Sequence, residues 1–108
     1  MLFDGPLNVV HVAISDTAHR LIANQKRVGI LAADDEAEQY TQLGARIIAL
    51  GPSNDLNAIA RRLFSAMRAL DSQGVDVILV RGFGREGLGA AIWDRLLRAA
   101  EGRVMTVE

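Results

Sequence analysis

The order of elements along the sequence predicts a three-layer α/β domain, with a mostly parallel five-stranded sheet flanked by helices. Short runs rich in Val, Ile and Leu alternate with longer segments whose apolar residues recur every three or four positions. A helical crossover is what returns the chain to begin the next strand in the same direction, so regular alternation implies parallel pairing. The runs are nearly free of polar residues, Val28 to Ala32 above all, as strands covered on both faces should be.

Leu7 to Ile14, rich in Val and Ile, reads as the first strand, and Ser15 or Asp16 then caps a short helix carrying Ala18, Leu21 and Ile22. Asn8 and His11 interrupt that strand on opposite faces, which favours a less buried place in the sheet. Arg27 to Ala32 is the second strand, and Asp34, Asp35 and Glu36 follow where a helix start favours acids. That helix runs to Leu43, and Gly44 stops it. Ala45 to Leu50 is the third strand, closed by Gly51-Pro52, after which Ser53 or Asn54 caps the clearest helix of the chain. Its stripe is Leu56, Ile59, Ala60, Leu63, Phe64, Met67 and Leu70, with Gly74 at its end. Val75 to Val80 is the fourth strand; a helix from about Leu88 to Ala100 follows, and Val104 to Val107 is the fifth strand. The pattern is strand then helix four times, with a closing strand.

At 108 residues the chain reads as one domain, 1–108, with 50% hydrophobic and 23% charged residues, a globular balance. No apolar stretch approaches the roughly 20 residues that cross a bilayer, and Met1 to Pro6 lacks the basic and apolar regions of a secretory signal. A cytoplasmic protein without membrane association is expected. The absence of cysteine excludes disulfides, thiolate metal sites and cysteine nucleophiles. A net charge of −1 gives no general attraction to nucleic acid.

The most distinctive motif is the run Arg81 to Gly89, "RGFGREGLG", in which Gly82, Gly84 and Gly87 keep the G-x-G-x-x-G spacing between a strand and a helix. Backbone N–H groups from Gly84 to Gly89, with Arg81 and Arg85 alongside, are candidates for holding a nucleotide, phosphate or pyrophosphate. Glu108 lies about 20 residues beyond the last motif glycine, where the dinucleotide fingerprint places its ribose-binding acid. Against that reading, the fingerprint opens a dinucleotide fold, whereas here it sits in the last unit. The plainer reading is that Gly82 and Gly84 permit a tight turn while Gly87 and Gly89 let the helix start pack closely on the sheet. Phe83, in the same loop, is a candidate exposed contact for another domain, and Trp93 a partial core residue.

Other constellations are weaker. Asp34 and Asp35 resemble the acidic pair of a phosphoacceptor receiver domain, but no aspartate ends the third strand and Lys26 precedes the pair, so helix capping explains them. His11 and His19 lack the i, i+4 spacing of a metal pair. Ser15, Asp16 and Thr17 follow the first strand, where capping is their simplest role. Arg61, Arg62 and Arg68 lie on the polar side of the long helix without interleaved aromatics, so direct nucleic-acid binding is not expected. No nucleophile, base or metal set presents itself as catalytic.

The run from Ala60 to Ala100 resembles the C-terminal domain of threonylcarbamoyl-AMP synthases. The cues are Leu63-Phe64, Leu70-Asp71, Gly74-Val75-Asp76, Gly87-Leu88-Gly89, Ala91-Ile92, Asp94-Arg95-Leu96 and Arg98-Ala99-Ala100, with looser matches at Pro6-Leu7 and Lys26 to Ala32. The resemblance implies a Rossmann-like domain that follows a YrdC-like catalytic domain. That larger domain binds ATP, with magnesium, together with threonine and bicarbonate to make threonylcarbamoyl-adenylate for tRNA modification. Neither its catalytic motifs nor the family's His-Tyr-Ala-Pro-like linker is matched here. The expectation is therefore an accessory, regulatory or gating domain that is no enzyme alone, holds no cofactor of its own, partners the catalytic domain in cis or in trans and does not itself bind tRNA. The resemblance also makes Gly87 and Gly89 part of a family pattern and leaves Gly82 and Gly84 incidental. The alternatives are a free-standing nucleotide- or phosphate-binding protein and a plain interaction module.

Overall fold

The structure, a computed structural model, describes residues 1–108 and shows five parallel strands in one sheet with helices on both faces. The elements are β1 (Leu2–Asp4), α1 (Leu7–Ala23), β2 (Val28–Ala32), a single 3₁₀ turn (Ala37–Tyr40), β3 (Arg46–Ala49), α2 (Leu56–Ser72), β4 (Val77–Arg81), α3 (Leu88–Ala99) and β5 (Val104–Thr106). The sheet order is β3-β2-β4-β1-β5.

Five strands and the α/β class agree with the sequence, but the first unit is rearranged. Leu7 to Ile14, expected as a strand, is the first half of α1, and Ser15 and Asp16, expected as caps, lie in the middle of it. Val10, Ile14 and Ala18 fall at i, i+4 and i+8 and are all buried, so tertiary burial at the helical period overrides the strand preference of β-branched residues. The first strand is the three-residue Leu2–Asp4 instead, and it is not peripheral: β4 and β5 flank it, and Leu2 and Phe3 have no exposed surface. No regular second helix forms after Asp34 and Asp35. Asp34 accepts from the Gly51 amide (2.9 Å), and Asp35 accepts from the Ser53 amide (3.0 Å) and hydroxyl (2.8 Å), so both acids tie the end of β2 to the loop after β3. Those Ser53 bonds hold the Asp35 carboxyl below the usual carboxylate range. The cap of α2 is Asp55, accepting from the Ala58 amide at 3.1 Å, a step beyond the expected Ser53 or Asn54.

Side chains alternate across each strand, so the sheet has two cores. Leu2, Leu31 and Val80 join Ile59, Leu63 and Leu70 of α2 and Ile92, Trp93 and Leu96 of α3. On the opposite face Phe3, Ile30 and Leu79 join Val10, Ile14 and Ala18 of α1 and Tyr40 of the 3₁₀ turn. All five residues of β2 are buried because both layers cover it. The chain moves one way across the sheet from β1 through β2 to β3, then reverses through β4 to β5. With right-handed crossovers, that reversal places α1 on one face and α2 with α3 on the other. After β1 the chain therefore turns to one face and after β4 to the other, opening a crevice of about 210 Å³ between their C-terminal ends.

Candidate functional site

The sheet's C-terminal edge gathers Asp4, Glu36, Arg81, Arg85 and the glycine loop, the place where open α/β sheets bind ligands. Arg81 is the last residue of β4, and Glu36 lies just beyond β2. The Arg81 guanidinium meets Glu36 side-on: Nε donates to Oε1 at 2.7 Å and Nη2 to Oε2 at 2.6 Å. Its third nitrogen, Nη1, donates to the Gly82 carbonyl at 2.7 Å, and the carbon that joins them sits 4.2 Å from the centre of the Phe83 ring. His11 reaches the same carboxylate from α1, with Nε2 3.1 Å from Oε1, and stands edge-on to Tyr40.

This cluster is nearly sealed: Glu36 is 4% exposed and the Arg81 side chain 16%. Burial by itself raises the Glu36 carboxyl, but the Arg81 hydrogen bonds and charge, joined by His11, outweigh it and hold the group below the usual glutamate range. Burial, together with the negative charge of Glu36, pushes the Tyr40 hydroxyl up to about 12. Three elements distant in sequence are thereby pinned around one ion pair. Arg81 has a structural partner on each nitrogen, so it serves the loop's geometry rather than presenting a bare cation.

Arg85 is the more accessible arginine. Its Nη2 donates to Asp4 at 2.8 Å, linking the glycine loop to the end of β1, and its guanidinium lies 3.8 Å from the centre of the Trp93 ring. Both partners of the ion pair remain partly solvated, with the Arg85 side chain 57% exposed. Arg85→Ala is accordingly expected to lower stability by no more than about 1 kcal/mol, the range of exposed ion pairs and stacked cations. Urea unfolding of the two proteins checks this.

Phe83, expected as an exposed contact, is instead buried at 7% exposure, because it turns under the loop into the core of α2 and α3. Gly82 is likewise not incidental: a methyl group there would lie 2.7 Å from the Trp93 ring. At Gly89 it would lie 2.5 Å from the Phe83 carbonyl oxygen and 3.1 Å from that of Gly84. Gly84 and Gly87 face open space but take φ of +91° and +55°, turning the chain from β4 into α3. Close packing at Gly82 and Gly89 and backbone freedom at Gly84 and Gly87 account for all four glycines.

Sequence reasoning missed Glu36, His11, Tyr40 and Asp4 as members of this edge. Glu36 and Arg81 are 45 residues apart, and no spacing rule connects them; an acid four residues after a wholly apolar strand was the one available signal. His19 is exposed on α1 and does not approach His11, and no group of three or more His, Asp or Glu side chains that could hold a metal ion is present. No helix is long and apolar enough to cross a membrane.

Residues 2–101 match the family described as threonylcarbamoyl-AMP synthase, C-terminal domain. Among curated relatives, the threonylcarbamoyl-AMP synthase of Pyrococcus abyssi is 32% identical over 108 residues, covering 99% of this chain and 29% of its own length. That of Bacillus subtilis is 35% identical over 80 residues, 74% of this chain and 22% of its own. This chain thus spans less than a third of those relatives. Among solved structures, P. abyssi Sua5 complexed with L-threonine superimposes with a TM-score of 0.86 at 31% identity, over 99% of this chain and 29% of that one. The C-terminal Sua5 domain from Pyrococcus horikoshii gives 0.75 at 27% identity, over 98% of this chain and 93% of that one.

Proposed function

The chain belongs to the threonylcarbamoyl-AMP synthase C-terminal domain family, and from that membership we propose that it assists a threonylcarbamoyl-AMP synthase catalytic domain, in cis or in trans. Its work is to position and gate that domain in the synthesis of threonylcarbamoyl-adenylate for tRNA modification; it makes and breaks no bonds alone. The observation that carries the reading is the family match over residues 2–101, in relatives that are more than three times as long.

The acids of the C-terminal edge already have partners. Glu36 is held by Arg81 and His11, and Asp4 by Arg85, so neither acid is poised as a base beside a nucleophile. This reading assigns magnesium and ATP to the catalytic domain.

The test adds this domain to a threonylcarbamoyl-AMP synthase catalytic domain that lacks its own C-terminal part and measures threonine-dependent pyrophosphate release. A change in rate that saturates with added domain is expected. An unchanged rate, with no detectable association, would count against the proposal.

A further inference from the structure

We infer that the groove between α2 and α3 is the surface on which this domain receives the catalytic domain, through an acidic, apolar-tipped part of that partner. The inference rests on the functional reading above and adds to it a particular surface and a partner chemistry.

The groove has a volume of about 270 Å³ and an aliphatic floor and walls formed by Ala60, Leu63, Leu88, Ala91 and Ile92. Leu88 is 37% exposed at its rim, and Phe64 on α2 is 43% exposed, so two of the molecule's four exposed large apolar residues belong to this layer. Arg61 and Arg95 border the groove, and the Arg95 guanidinium lies 4.5 Å from the centre of the Phe64 ring. An apolar centre edged by arginine and an aromatic ring has the make-up of a protein-binding hot spot.

Charge fixes the partner's character. Helices α2 and α3 together carry Arg61, Arg62, Arg68, Arg95 and Arg98 against Asp71 and Asp94. On the opposite layer, α1 carries Asp16 against Arg20 and the 3₁₀ turn carries Glu38, while Glu36 is buried in its pair with Arg81, and Asp34 and Asp35 are engaged at the sheet's edge by Gly51 and Ser53. The near-neutral chain thus carries a basic excess on its α2–α3 side, which attracts an acidic surface. A nucleic acid fits this side less well. One face of the exposed ring is covered by Arg95, and an aliphatic hollow receives a side chain better than it stacks a base. The occupant is the remaining part of the synthase: the matched relatives extend well beyond this domain, and a P. horikoshii structure consisting almost wholly of it shows that such a domain folds alone.

The experiment titrates isotope-labelled chain with the catalytic domain of its own organism's synthase, followed by amide NMR shifts that also register weak contacts. Shifts concentrated on Ala60, Arg61, Phe64, Leu88, Ala91 and Arg95 are expected. Leu88→Glu and Phe64→Glu, each with a normal circular dichroism melt, should weaken binding at least tenfold, and Arg61→Glu should weaken it and reduce its salt dependence. Val12→Glu, at an exposed position on α1, should leave binding unchanged. Binding by the wild type that Leu88→Glu and Phe64→Glu leave intact, or shifts confined to α1, would overturn the groove while sparing the functional reading. No binding by the wild type would overturn both. Titration with tRNA completes the test: if tRNA shifts the same residues and the catalytic domain does not, the surface belongs to nucleic acid and the inference is wrong.

Discussion

Glu36→Ala is expected to lower the stability of this domain by about 3 kcal/mol, the lower end of the range for breaking one side of a buried ion pair. The substitution removes both acceptors of the Arg81 guanidinium, along with the acceptor for His11, and leaves a cation where water has little access. The 16% exposure of Arg81, together with its bond to the Gly82 carbonyl, limits the cost. A domain of this size is stable by about 5–15 kcal/mol, so the loss should be plain in the urea midpoint at neutral pH. Replacing both partners, as in Glu36→Leu with Arg81→Met, should recover half or more, because the penalty comes from the uncompensated charge rather than from the pair's net strength. If the double variant is no more stable than Glu36→Ala, the ion pair is not the source of the effect.

The same carboxylate sets a pH dependence. Its folded-state pKa lies below the unfolded value of about 4.3, so the stability it contributes is present above that pH and is lost as pH falls through the folded value. Acid unfolding of the wild type should accordingly be steeper below about pH 4.3 than that of Glu36→Gln. Equal slopes would show that the carboxylate is not held by its partners.

Gly89→Ala is expected to destabilise by at least about 2–3 kcal/mol, at the upper end of the range for overpacking. A methyl group would stand 2.5 Å from one main-chain oxygen and 3.1 Å from another, and neither oxygen belongs to a side chain that could swing away. The loop would have to lift from the start of α3, carrying Phe83 out of the core and loosening Gly82 from Trp93. Gly84→Ala is the control: it has free space and only a left-handed φ of +91° to pay for, about 1–2 kcal/mol. Thermal melts of the two variants should therefore rank Gly89→Ala well below Gly84→Ala. The reverse order would mean that the glycines serve the turn alone and not the approach of helix to sheet.

How much was legible in the chain varied along it. From Val28 onwards the strands and the two long helices α2 and α3 follow the sequence, because the strands are continuous apolar runs and the helices are long enough for a period of 3.6 to show; the helix expected after Asp34 is the exception, shrunk to a 3₁₀ turn. The beginning misled: β1 has three residues, too few for a period, and the Val and Ile run of α1 imitates a strand. The acids at Asp34 and Asp35 read as helix caps, but their partners are the Gly51 and Ser53 amides, which lie across the sheet's edge.

The sequence by itself determined the alternation of elements, hence a parallel sheet between two helical layers, and it carried the family pattern in its second half. Local residues are sufficient for that, since helix and strand periods and turn glycines act over a few positions. Only the tertiary structure decided the order β3-β2-β4-β1-β5, the burial of Phe83, and the union of Glu36, Arg81 and His11. Those depend on which side chains meet once the chain reverses direction across the sheet, and contacts made across 25 to 45 residues leave no periodic trace in the residues between them.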